Sequence, residues 1–185
     1  MRGEIQTFHV LPIDHALLGL DWRNWEDNDY FCTPRGAEII GSPDMDGIHF
    51  VMIPNDKRIF CVNPVAEPSS YVVPVAESFL DFISYLLYCR ESLPIARIRE
   101  MPNEKAFRTM LAEEAALTWP GSEVYYQKKK KSLRTLAAAY GAQPEDPYMR
   151  IRRMQATFQM DEIEFTEEYE KALAAGQEKG VFNCE

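Results

Sequence analysis

The run of 45 residues from Asp46 to Arg90, DGIHFVMIPNDKRIFCVNPVAEPSSYVVPVAESFLDFISYLLYCR, constrains the fold more than any other part of this chain. Ile48, Phe50 and Met52 alternate with His49, Val51 and Ile53, so both faces of this strand are largely apolar. A strand of that kind belongs inside a sheet that is covered on two sides. Pro54-Asn55-Asp56 supplies a turn, because Pro presets φ and Asn and Asp bond their own backbone. Arg58–Val62 returns as a second strand and stops at Asn63-Pro64, where the ladder loses a donor. Tyr71-Val72-Val73 is a third, and Pro74 places it at an open edge or ends it. Ala37–Ile40 before Gly41 reads as a further short strand, and Asp46-Gly47 as the tight turn into the first of the three.

An amphipathic helix follows. Ser78 suits the N-cap, with Asp81 three residues on as capping-box partner. Phe79, Phe82, Ile83, Leu86 and Leu87 then recur at helical spacing and form one stripe to pack on the sheet. Glu91-Ser92 and Pro94 mark the end.

The order DGIHF, a second strand ending in VNP, then YVVPVA and ESFLDFISYLL resembles the SUKH superfamily, the Syd-like and cell-wall-synthesis-regulator-like immunity-protein domains. The similarity covers roughly residues 37–90. The long C-terminal part has no counterpart in that family, and Trp22 and Trp25 lie in an acidic stretch rather than on a family-type N-terminal helix. The resemblance implies an intracellular, non-catalytic protein-binding module, an immunity protein neutralising a polymorphic toxin.

The C-terminal half reads as helices. Asn103 caps one that runs through Phe107, Met110, Leu111 and Ala115 to Trp119-Pro120-Gly121. Ser122 caps the next, apolar at Val124, Tyr125, Leu133, Leu136 and Ala137, with Gly141 past its end. Met149, Ile151, Met154 and Phe158 interleave with Arg150, Arg152 and Arg153; this segment is a helix or a strand, and helix is favoured. Thr166 starts a last acidic helix that ends at Gly176, with Tyr169, Ala172 and Leu173 facing the body. The expected fold is α+β: a mostly antiparallel sheet with helices packed on it. Residues 1–121 form the SUKH-like part, and residues 122–185 a helical extension on the same core.

Charge is unevenly spread within a net −9. Residues 1–121 carry ten basic and eighteen acidic side chains, residues 122–153 eight and three, and residues 154–185 two and eight. The acidic body repels nucleic acid and attracts basic surfaces, which suits a basic toxin domain as partner. No apolar run approaches a membrane span, and the N-terminus lacks the apolar core and cleavage site of a signal peptide, so a cytoplasmic location is expected. Cys32, Cys61, Cys89 and Cys184 are scattered without a C-x-x-C pair, which predicts reduced thiols and neither zinc site nor cofactor.

Catalytic patterns are weak. His49 sits between apolar strand neighbours and reads as structural, because a general base needs an orienting partner. Asp14 and His15 are adjacent, and adjacent residues on an extended chain point apart. Asp44-x-Asp46-Gly47 lacks the remaining oxygen ligands of a calcium loop and reads as a turn. Lys128–Lys131 with Arg134 is either a solvated helix face or a phosphate contact. Four consecutive residues surround a helix and cannot all enter one groove, and no aromatic platform interleaves them.

The strongest interaction candidate is Trp22–Phe31, where Trp22, Trp25 and Tyr30 stand among Glu26, Asp27 and Asp29. Aromatic anchors beside a charged rim are what partner-binding patches use. The competing reading puts the aromatics in the core and leaves the carboxylates to solvate a loop. The alternative function is a small enzyme or nucleic-acid-associated factor using His49 or the basic helix 128–134.

Overall fold

In the computed structural model of the chain, residues 2–23 and 30–178 are described. The fold is α+β. Helix α1 (Arg2–His9) precedes strands β1 (Glu38–Gly41), β2 (His49–Met52), β3 (Ile59–Val62) and β4 (Val72–Ala76). Then come α2 (Phe79–Cys89), α3 (Leu93–Ala96), α4 (Glu104–Ala116), α5 (Ser122–Tyr140), α6 (Tyr148–Thr157) and α7 (Glu167–Glu178). The strands form an antiparallel meander in the order β1-β2-β3-β4, with Val51 opposite Phe60 and Cys61 opposite Val73.

Every residue of β2, β3 and β4 is buried, as two apolar faces require. Side-chain alternation divides them cleanly. Phe50, Met52, Ile59, Cys61, Val73 and Val75 face a core that also holds Phe79, Phe82 and Leu86 of α2, Phe8 of α1 and Leu136 of α5. Val51, Phe60, Val62 and Val72 face the other way, against Cys32, Ile163 and Tyr169, with Phe158 and Phe165 beside them. The sheet is thus the middle of three layers. Residues 122–178 contribute to both cores, Leu136 and Ile151 on one side and Ile163 and Tyr169 on the other. Each of the larger buried side chains contributes about 1.5–3 kcal/mol.

Both sheet edges are covered. At β1, His9 Nε2 lies 3.0 Å from the Ile40 carbonyl, and Asp21 pairs with Ser42 beyond the strand end. At β4, α6 packs alongside, and Gln155 Nε2 donates to the Pro74 carbonyl at 3.2 Å. Covered edges do not template pairing with another chain. Pro74 is on an edge strand as expected, yet β4 continues past it to Ala76, because a shift in register between Ile59 and Phe60 accommodates the ring.

Helix α2 starts as anticipated: Ser78 Oγ accepts from Asp81 N at 3.1 Å, and its hydroxyl donates to Asp81 Oδ2 at 2.5 Å. It ends at Arg90 in the left-handed region (φ 68), whose N–H returns to Leu86 O at 2.7 Å. Four local readings differ. Helix α1 was not anticipated; its only signal is Ile5 and Phe8, three apart and both buried. Ser122 is the first residue of α5 rather than its cap, which is Gly121 at φ 87. Helix α7 runs through Gly176 to Glu178. Within it Tyr169 and Leu173 pack inward while Ala172 is exposed, although all three share one helix face by spacing.

Candidate functional site

Of the aromatic–acidic segment, Trp22 and Tyr30 are described; Trp25, Glu26, Asp27 and Asp29 lie outside the described residues. Trp22 is half-buried and stacks on His9, with ring centroids 4.2 Å apart and planes 14° from parallel. Tyr30 is half-buried and stacks on His49 at 5.7 Å and 26°. Gly47 backs the same ring so closely that a Cβ there would sit 2.6 Å from Tyr30 Cζ. His9 is bound at Ile40, near the end of β1, and His49 begins β2; Gly41 stands opposite Phe50. The two ends of the segment are therefore held at one end of the β1–β2 pair. Phe31 is placed in the second core against Tyr71, at 5.2 Å.

The histidines are tied to the scaffold. His49 is fully buried, with Nδ1 donating to the Gly47 carbonyl at 2.8 Å and Nε2 3.3 Å from the Thr33 hydroxyl. His15 is buried with Nε2 2.9 Å from the Phe8 carbonyl, while Asp14 meets Ser132 through its backbone N–H. Burial holds the His9 imidazole below its ordinary value, with the Ile40 carbonyl opposing and His15 reinforcing the shift. Burial also pushes the thiols up, Cys32 to about 11, Cys61 to about 12 and Cys89 well above the ordinary value, so all three are protonated at neutral pH. Among the described residues these cysteines are free, and no three His, Cys, Asp or Glu side chains converge as metal ligands would. Asp44 and Asp46 take left-handed backbone (φ 56 and 51), which is turn geometry.

The basic run is divided by its helix. Lys128, Lys130 and Lys131 are exposed, whereas Lys129 is 7% exposed and its ammonium is paired with Glu91 at the end of α2. Lys129 points into a cavity of about 580 Å³ between the end of α2, α4 and α5. Trp119, Tyr125 and Tyr126 stand at this cavity with ring centroids 5.3–5.6 Å from one another, and the Tyr126 hydroxyl donates to the Leu117 carbonyl at 2.9 Å. Glu114 of α4 lines it too; burial first, and repulsion from Glu91 second, raise its carboxyl above the ordinary value, against the pull of Arg97 and Lys129. No sequence reading assembled this constellation. Its only trace is three aromatics within eight residues around Trp119-Pro120-Gly121, a run that signals a helix break more strongly than a site.

Among the described residues, no helix is long and apolar enough to cross a membrane. Comparison of the chain with protein-family models, with curated proteins and with solved structures finds no match.

Proposed function

We propose that this chain is a non-catalytic, intracellular protein-binding module for a basic partner, of the toxin-neutralising kind that the SUKH resemblance implies. One observation carries the proposal: Trp22 and Tyr30 are each clamped on a histidine at the same end of the β1–β2 pair. Between them the sequence holds Trp25 and three carboxylates, Glu26, Asp27 and Asp29. Fixing both ends of a binding segment lowers the ordering cost that association must meet. The acidic balance of residues 1–121 supports a basic partner, since complementary charge speeds encounter.

The test is affinity capture from the source cell, followed by binding kinetics of the captured protein at two salt concentrations. Trp25→Ala should speed dissociation, by roughly 30-fold for a loss of about 2 kcal/mol at an aromatic anchor. Changing Glu26, Asp27 and Asp29 together to amides should slow association and flatten its salt dependence. Unchanged rates in both folded variants would move the partner surface elsewhere.

A further inference from the structure

Where α2 ends, α4 and α5 stay apart and leave the cavity lined by Glu91, Glu114, Lys129 and the three aromatic rings. Its volume of about 580 Å³ is in the range of small-molecule sites. The two carboxylates inside are unequally paired. Lys129 is committed to Glu91, and its Nζ lies 3.4 Å from the Tyr125 hydroxyl and 5.4 Å from that ring's centroid. Glu114, half-buried on the facing helix, has neither hydrogen bond nor ion pair to its carboxylate among the described residues. Arg97 and Lys129 act on Glu114 through charge alone. The remaining cations of the lining, Arg90 and Lys130, are exposed at its mouth, where water screens them.

Trp119, Tyr125 and Tyr126 line the same cavity as Glu114. Trp119 is 45% exposed although it is the largest apolar side chain of the group. Electron-rich rings attract cations at their faces, Trp most strongly, and aromatic cages of this composition recognise alkylated ammonium groups. Leu111, Leu117 and Leu133 complete the lining with apolar surface that a bare inorganic ion would leave unfilled.

We propose that this cavity is a binding site for a small organic cation, an alkylammonium carrying an apolar body. Glu114 counters its charge, the Trp119 and tyrosine rings pack on the ammonium substituents, and the leucines take the body. An anionic ligand would have to draw Lys129 away from Glu91 or rely on the solvated cations at the mouth. The site stands independently of the protein-binding reading, and none of its residues belongs to the Trp22–Phe31 segment.

Isothermal titration of the full chain tests it with four probes: benzyltrimethylammonium, choline, the uncharged carbon isostere of choline, and phenylacetate. Benzyltrimethylammonium should saturate one site and bind more tightly than choline. The uncharged isostere should bind about tenfold more weakly than choline, and phenylacetate should not bind. Glu114→Gln and Trp119→Leu, at positions exposed enough to leave the fold intact by circular dichroism, should each weaken benzyltrimethylammonium about tenfold. Equal affinity for choline and its isostere would overturn the proposal, leaving a merely apolar hollow. So would tighter binding of phenylacetate, unchanged affinity in Glu114→Gln, or no heat from either cation at millimolar concentration.

Discussion

Arg58 joins three parts of the molecule through one guanidinium. It grips Asp56 with Nε–Oδ2 at 3.0 Å and Nη2–Oδ2 at 2.8 Å, and it reaches Glu162 beyond α6 at 3.0 Å. The same group lies over Phe60 of β3 and Phe158, at 5.2 and 5.5 Å. Planar Arg serves such a site better than Lys, because it forks to a carboxylate and stacks on rings together. Burial alone would raise the Asp56 carboxyl; the hydrogen bonds and charge of Arg58 outweigh it and hold it below its ordinary 3.8. Glu162 is lowered by the Gln159 N–H and by Arg58. A carboxylate with a depressed folded-state value adds stability above its unfolded value and loses it as pH falls through the folded one. Urea midpoints should therefore drop steeply below pH 3.8 in the native chain, and less steeply in Arg58→Met. Parallel curves for the two proteins would show that Arg58 contributes nothing to acid stability. At this scale sequence is least informative. Lys128 to Lys131 are chemically identical, and only helix phase relative to α2 turns Lys129 inward to Glu91.

The elements show the opposite. Strands β1 to β3 and helix α2 fall where alternation and 3.6-residue periodicity put them, because each has enough apolar positions to declare its face. Turn chemistry was equally legible at Asp46-Gly47 and Pro54-Asn55, where Asp46, Gly47 and Asn55 all take positive φ. What Gly47 supports was not legible. It gives Tyr30 room at the start of β2, and Gly41 likewise lets the Leu20 carbonyl approach, within 2.4 Å of where a Cβ would stand. Gly47→Ala should cost about 2 kcal/mol or more, from left-handed backbone (φ 74) and the clash with the Tyr30 ring. Chemical denaturation of Gly47→Ala, Tyr30→Ala and the double variant separates the two terms. The double should lose less than the sum of the singles, since removing the ring removes the clash. Strict additivity would place Tyr30 away from Gly47.

For the whole molecule, the decisive fact is that the sheet is covered twice. Its second face depends on residues that come late in the chain, Phe158, Ile163, Phe165 and Tyr169. Removing residues 158–185 would take Phe158, Ile163, Phe165 and Tyr169 off the face of Val51, Phe60, Val62 and Val72, leaving Cys32, Phe31 and Tyr71 to cover it in part. At about 1.5–3 kcal/mol for each side chain returned to water, the loss rivals the 5–15 kcal/mol of net stability a domain usually has. The shortened chain should bind hydrophobic dyes, aggregate, and unfold without a cooperative transition. An unchanged, cooperative melt would show that the C-terminal segment is dispensable to the folding unit. The helical extension expected over residues 122–185 on the same core meets the sheet on both sides among the described residues: Leu136 and Ile151 enter one core and Tyr169 the other.

Sequence by itself determined the α+β class, the run of antiparallel strands, the capped helix that backs them, and an acidic surface. These follow from local periodicity, turn residues and charge, which act over a few neighbours. It also pointed to a sheet covered on both sides, since β2 shows no polar face. Tertiary structure alone decided what covers each side, and which side chains meet across long stretches of chain. Glu91 and Lys129 are 38 residues apart, Asp14 and Ser132 are 118 apart, and Trp22 finds His9 across a turn of chain that carries no periodic signal. Such pairings depend on how whole elements dock, through the summed burial of many apolar groups. That is why Trp119 and Lys129 read as part of a helix break and one lysine of four, and converge with Glu114 on a single cavity only in the folded chain.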